Sequence, residues 1–190
     1  ALKVNDLGGK VVTISGPDGY IYDEEGISGE KIDFMVEMRG RGDNRVEAYL
    51  EKYPNAVFHK GKSVWEVKVD VAIPCATQNE LHEEDAKKLI ANGVICVTEA
   101  ANMPSTLGAI KEFLNAKVLF APGKAANAGG VAASGLEMTQ NSIRLNWTSE
   151  EVDTRLKEIM VGIHNQCKKY GADGEGYVNY VKGANIAGFV

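Results

Sequence analysis

The sequence predicts an α/β fold, a parallel sheet with helices on both of its faces, and three observations carry that prediction. Short apolar runs recur at 67–74 (VKVDVAIP), 94–98 (VICVT) and 118–120 (VLF), each stopped by turn residues, as buried parallel strands are. Segments with helix start and stop signals alternate with them, the pattern of βαβ units. A chain of 190 residues, 44% hydrophobic and 25% charged, has the composition of a globular protein and the length of one ordinary domain.

In chain order, residues 1–7 read as the end of a helix closed by Gly8-Gly9, so the chain is expected to begin in mid-domain, as an excised piece. The run KVVTIS at 10–15 is β-branched and apolar, a buried strand stopped by Gly16-Pro17-Asp18-Gly19. The alternating Tyr20-Ile21-Tyr22-Asp23 reads as a short edge excursion. Ser28 caps a helix over 29–38, and a second helix over 44–52 breaks at Tyr53-Pro54. Residues 56–59 make a short strand, and Trp65 packs beneath the loop that follows.

Beyond strand 67–74, Glu83-Glu84-Asp85 open a helix whose acidic first turn suits the helix dipole, and Gly93 closes it. A helix over 105–115 leads into strand 118–120. Asn127 is a good N-cap for a helix over 128–146. Ser134, seven residues on, then shares its face about 10 Å along the axis. Thr148 with Glu151 makes a capping box for a long helix ending near Tyr170-Gly171. A flexible turn and another helix entry follow.

The net charge of −5 argues against nucleic acid or an anionic membrane as the main partner. No apolar run reaches 18 residues. Cys75, Cys96 and Cys167 are an odd, scattered set; Cys75 and Cys96 are expected as buried thiols in a reducing cytoplasm. With His59, His82 and His164 equally dispersed, no metal site is expected.

Ligands of parallel sheets bind beyond the carboxyl ends of the strands, and three polar stretches fall there: Ala76-Thr77-Gln78, Asn102 and Asn127. None is a catalytic acid or base. Amides and a hydroxyl orient a neutral polar ligand such as a ribose or a carboxamide. The small residues of LFAPGKAANAGGVAAS at 119–134 let a ligand or another backbone approach closely, with Asn127 and Ser134 as the hydrogen-bonding groups. A dinucleotide domain opens with a strand, G-x-G-x-x-G and a helix. No such run occurs, and Gly29, Gly40 and Gly42 do not follow a strand. Worked backwards, 10–15 becomes the second strand of a Rossmann-like sheet whose first strand and glycine-rich loop are missing. Ser15 and Asp18 then lie where an acidic side chain meets the adenosine ribose. Asp18 favours an unphosphorylated ribose, while Arg39, Arg41 and Arg45 approach from the following helices to meet a 2′-phosphate.

Five stretches, SGPDGYIYDEEG (15–26), PCATQNEL (74–81), EAANMP (99–104), APGKAANAGGVAASGLEM (121–138) and GANIAGFV (183–190), run in order along essentially the whole chain. In them the chain resembles the coenzyme-binding domain of the hexameric glutamate dehydrogenases. The resemblance implies that 1–190 is a partial NAD(P)-binding domain of an enzyme that converts L-glutamate and NAD or NADP to 2-oxoglutarate, ammonia and the reduced coenzyme. It implies that Ala76, Thr77 and Gln78 line the coenzyme cleft and that Asn102 contacts the nicotinamide ribose. Asn127 would sit between nicotinamide and substrate, Ser134 would hydrogen-bond the side-chain carboxylate of glutamate, and Ser15 and Asp18 would flank the adenosine ribose. The catalytic lysines and aspartate of the family belong to an N-terminal substrate domain that has no counterpart here. Lys124 and Glu137 are not expected to replace them, so the chain alone is expected to be inactive. The hexamer is expected to assemble through that other domain. A branched-chain or aromatic amino-acid dehydrogenase shares the fold, but the Ser134 hydroxyl suits a carboxylate better than a hydrocarbon. A non-catalytic nucleotide-binding module is the reading from another class.

Overall fold

A Pro-Asp pair between two β-branched runs turns the chain back on itself near its start. The structure, a computed structural model, describes residues 1–190. They divide into two compact units, Ala1–Val64 and Trp65–Val190.

In the first unit, helix α1 (Leu2–Asp6) precedes strands β1 (Thr13–Gly16) and β2 (Gly19–Tyr22), with β3 (Val57–Lys60) added later. The three form an antiparallel sheet in the order β1-β2-β3. The register pairs Gly16 with Gly19, leaving only Pro17 and Asp18 in the loop. So short a loop permits antiparallel pairing alone, and the run at 10–15, expected as a parallel strand, becomes half of a hairpin. Tyr20 and Ile21, expected at an edge, are buried in the central strand. Gly19 makes this possible. Its φ is +144°, and a Cβ there would stand 2.2 Å from the His59 carbonyl oxygen.

Helix α2 (Glu30–Gly40) packs its Ile32, Met35 and Met38 with Ile21, Ile27, Val46 and Tyr49 to make the core of this unit. The helix expected over 44–52 is a 3-10 helix at Val46–Glu51, only six residues long before Pro54 stops it. Asp23 is buried in this core with a full set of partners. Its carboxylate accepts from Lys31 Nζ at 2.8 Å, the Tyr49 hydroxyl at 2.7 Å and the Glu25 N–H at 3.1 Å. Burial pulls the carboxyl up, but the Lys31 and Tyr49 hydrogen bonds outweigh it and hold the group below its ordinary value of 3.8. The same bond raises Lys31, and burial with the Asp23 bond pushes the Tyr49 phenol up.

The second unit bears out the α/β class. Strands β4 (Val71–Ala72), β5 (Cys96–Thr98) and β6 (Leu119–Ala121) form a parallel sheet in sequence order. Helix α3 (Glu83–Ala91) joins the first two strands and α4 (Leu107–Asn115) the last two. Ala72, Val97 and Phe120 share a register row and are all buried, and the Phe120 ring stacks 5.7 Å from Phe113 of α4. Burying each such phenylalanine is worth about 2–3 kcal/mol. Side chains alternate across a strand, so Cys96 faces the other way. There it meets Tyr180 of α8 (Tyr180–Ala187); burial, then the Cys96 and Cys167 thiols, push that phenol up. Helices thus cover both faces.

The chain leaves β6 through α5 (Gly123–Ala126), α6 (Gly129–Ile143) and α7 (Ser149–Gly171). Helix α7 starts on the expected capping box, Thr148 with Glu151. It meets α8 so closely that a Cβ on Gly183 would lie 2.0 Å from the Cys167 carbonyl oxygen. Helix α6 differs from expectation. Pro122 opens a separate turn, α5, and Asn127 ends that turn rather than capping α6, whose N-cap is Ala128. The shared face expected of Asn127 and Ser134 therefore has no common helix to rest on. Trp65 is buried, its indole N–H donating to the Glu80 carbonyl at 3.3 Å. Cys75, expected buried, is exposed, because Pro74 takes the chain out of the sheet just before it. No helix is long and apolar enough to cross a membrane.

Candidate functional site

Parallel strands release their chain ends on one side, and here the three released loops are tied to one another by hydrogen bonds, two by backbone groups and the third through a side chain. The loop after β4 pairs with the loop after β5. Ala100 N–H donates to the Pro74 carbonyl, Asn79 N–H to Met103, Leu81 N–H to Pro104 and Thr106 N–H to Leu81, at 2.9–3.0 Å. Leu81 and Ser105 form an isolated parallel bridge at the centre of this seam. Asn79 and Met103, bonded to each other, both hold positive φ, 56° and 52°. Asparagine tolerates that region, whereas Met103 is strained by about 1–2 kcal/mol, which the surrounding bonds must offset.

The loop after β6 is attached by a carboxylate. Glu99 is buried, and its two oxygens accept from the Gly123 N–H at 2.6 Å and the Ser105 N–H at 3.2 Å. Gly123 has to be glycine: a Cβ there would come within 2.7 Å of the Ala101 carbonyl oxygen and 3.2 Å of Glu99 Oε2. With the loops tied in this way, Asn127 Nδ2 donates to Asn102 Oδ1 at 2.9 Å. Two residues 25 positions apart form one amide pair, which leaves Asn127 Oδ1 as a free acceptor and Asn102 Nδ2 as a donor.

The other candidates in this unit sit nearby in the sequence of loops but not in the pair. Ala76 donates its N–H to Glu80 Oε1 at 2.8 Å, and Thr77 and Gln78 are exposed on the same loop. Ser134 is exposed on α6, its hydroxyl donating back to the Gly130 carbonyl at 3.3 Å. Lys124 is occupied elsewhere, its ammonium bonded to Asn185 Oδ1 of α8.

In the first unit, Ser15 is exposed in β1. Asp18 spends its carboxylate on the start of the 3-10 helix, accepting from the Val46 and Glu47 N–H groups, each at 3.0 Å. Of the three arginines, Arg45 is bound to Asp43 and Arg41 to Glu37. The Arg45 bonds hold Asp43 at about 2.

Sequence reasoning passed over Glu99. Its partners are backbone N–H groups of other loops, 6 and 24 residues away, which no residue pattern announces. No group of three or more His, Cys, Asp or Glu is placed to hold a metal ion.

The chain matches the family model described as Glutamate/Leucine/Phenylalanine/Valine dehydrogenase over residues 1–190. It is 60% identical over 190 residues to the NAD-specific glutamate dehydrogenase of Bacteroides fragilis, covering all of this chain and 43% of that relative. It is 54% identical to the NADP-specific glutamate dehydrogenase of Haemophilus influenzae, over 99% of this chain and 42% of the relative. Among solved structures it superposes on a glutamate dehydrogenase with a TM-score of 0.93 and 49% identity, covering all of this chain and 42% of the other. The Plasmodium falciparum glutamate dehydrogenase superposes with the same score at 41% identity, over 98% of this chain and 40% of the other. The chain thus spans less than half the length of the relatives it matches.

Proposed function

The chain belongs to the Glutamate/Leucine/Phenylalanine/Valine dehydrogenase family, and from that premise we propose that residues 1–190 are the coenzyme-binding domain of an NAD(P)-dependent glutamate dehydrogenase. The whole protein would interconvert L-glutamate with 2-oxoglutarate and ammonia, as a cytoplasmic hexamer with a Rossmann-like coenzyme domain. The observation that carries this reading is the Asn102–Asn127 amide pair at the carboxyl ends of a parallel sheet.

The donor set suits the coenzyme. A ribose hydroxyl both donates and accepts, and a carboxamide does the same, so one free amide oxygen and one free amide N–H meet either group without leaving a buried polar atom unpaired. Bound NAD or NADP would supply the acceptor for the hydride that leaves the α-carbon of glutamate. Asn102 holds the nicotinamide ribose, and Asn127 stands between the nicotinamide and the substrate. Ala76, Thr77 and Gln78 line the cleft beside them. Ser134 turns its hydroxyl from Gly130 to the side-chain carboxylate of glutamate, a bond to a charged acceptor that outweighs the backbone bond it gives up. These groups bind and orient; none of them is an amine or acid that moves the α-proton, so this chain alone is expected to show no turnover.

For the first unit, Ser15 and Asp18 flank the adenosine ribose. Each Asp18 oxygen keeps a lone pair after its backbone bond, enough to accept from a ribose hydroxyl but repelling a 2′-phosphate. On the Asp18 charge, and with two of the three arginines, Arg41 and Arg45, already paired, NAD is the coenzyme proposed.

Fluorescence titration of the chain with NADH and NADPH tests this reading. Saturable NADH binding, weaker for NADPH and weakened about tenfold in Asn102→Ala, is expected, a factor that corresponds to one good hydrogen bond. Absence of NADH binding, or binding indifferent to Asn102→Ala and Asn127→Ala, overturns it.

A further inference from the structure

Glu99 is the group around which the three strand-end loops close, although no part of it reaches the surface where a ligand would lie. The residue is 4% exposed, and its carboxylate forms no ion pair. An unpaired buried carboxylate is costly, and a neutral glutamine of the same shape would avoid the cost. The geometry shows what the charge is needed for. Both partners are backbone donors, Gly123 N–H and Ser105 N–H, and a carboxylate is acceptor-only at both oxygens. Glutamine presents one oxygen and one NH2, so one of the two N–H groups would face another donor.

The two bonds have different consequences. Ser105 follows the loop that carries Asn102, and Gly123 opens the turn that Asn127 ends. Glu99 therefore ties down both arms of the Asn102–Asn127 pair, through Ser105 on one side and through Gly123, 24 residues along the chain, on the other. Gly123 admits no side chain on that path, since a Cβ would collide with the Ala101 carbonyl and crowd Glu99 itself.

We propose that Glu99 is a positioning residue: its carboxylate sets the register of Asn102 against Asn127 and so the affinity for the nicotinamide half of the coenzyme. The coenzyme clause rests on the function proposed above, whereas the positioning of the amide pair does not.

The test uses the 190-residue chain, 15N-labelled, with the Asn127 side-chain amide assigned by its loss in Asn127→Ala. In Glu99→Gln that amide should move toward the position of a free asparagine amide, as it should in Asn102→Ala. NADH affinity should fall about tenfold in Glu99→Gln. The double variant with Asn102→Ala should bind no more weakly than Asn102→Ala by about twofold, because the two act on one interaction. An Asn127 amide unmoved by Glu99→Gln, or affinity losses that simply multiply, overturns the proposal, even if the melting temperature has dropped. Where Glu99→Gln does not fold, Glu99→Asp replaces it, which keeps the charge but is one methylene too short to reach both N–H groups, with the same displaced amide expected and an unmoved amide again overturning the proposal. If the unaltered chain binds neither NADH nor NADPH, the coenzyme reading fails, and the amide resonance still decides for or against the positioning role.

Discussion

Each unit buries one carboxylate to the same degree, Asp23 in the first and Glu99 in the second, both 4% exposed, yet their partners differ in kind. Asp23 meets an ammonium, a phenol and one backbone N–H, all closing around the core of its unit. Glu99 meets two backbone N–H groups and no side chain at all. Side-chain partners can be rebuilt by rotamer changes, so a network like that of Asp23 ties elements together without fixing any loop to a fraction of an ångström. Backbone partners have no such freedom. The first arrangement secures a fold, and the second fixes the path of the chain at the Asn102–Asn127 pair.

The largest effect should come from removing the Asp23 charge. Asp23→Asn leaves the Lys31 ammonium and the Tyr49 hydroxyl facing an amide, a loss of about 3 kcal/mol in denaturant unfolding. The Asn127 amide resonance and NADH affinity should stay as they are. If either moved with Asp23→Asn, the division of labour between the two carboxylates would be wrong. Glu99→Gln should cost about 2 kcal/mol, one buried N–H losing its acceptor, and should change the coenzyme titration as well. Tyr49→Phe should cost about 1–2 kcal/mol, one hydrogen bond to a charged acceptor, again without any effect on the amide pair.

The smallest and most diagnostic effect is with pH. Asp23 titrates below its ordinary 3.8 in the folded chain, so the stability it adds is present above that value and drains away as the pH falls through the lower folded value. Lys31 titrates above its ordinary 10.5, so its share is present below that value and is lost as the pH rises through the higher one. The unfolding free energy of Asp23→Asn, subtracted from that of the unaltered chain, should shrink at both ends of the range. A difference that stays flat from pH 3 to 11 would remove the ion pair from the account of the first unit.

How much of this was legible in the sequence depended on whether a feature is local. The capping box of α7, the acidic start of α3 and the apolar strands of the parallel sheet are written within a few residues of each other, and each lies where it was expected, although the run 67–74 is paired only at Val71–Ala72. The run KVVTIS was rightly a strand, but strand propensity does not say which way its partner runs. Gly16-Pro17-Asp18-Gly19 did say so, since two loop residues between apolar runs mark a hairpin; it was read only as a stop. Asn127 failed as a cap because Pro122, five residues earlier, had already started a helix of its own. The small-residue stretch at 119–134 announced a close approach, and one residue within it, Gly123, makes one. Glu99 was out of reach for another reason: its partners are backbone groups 6 and 24 residues away, and backbone groups leave no mark on a sequence.

The anchoring of α7 has a mechanical consequence. Of its 23 residues only Cys167 and Gly171 are buried, both near the carboxyl end where α8 presses against it. At 1.5 Å per residue the rest of the rod extends about 25–30 Å beyond that clamp. Met160 and Leu156 on the shaft lie under Gly129, the first residue of α6, and α6 itself buries nothing. Helix α6, with Ser134 five residues along it, therefore starts from a seat partway along that rod. A tilt of about 5° at the Gly183 contact would carry the far tip about 2–3 Å but that seat, about 10–16 Å from Cys167, only about 1 Å.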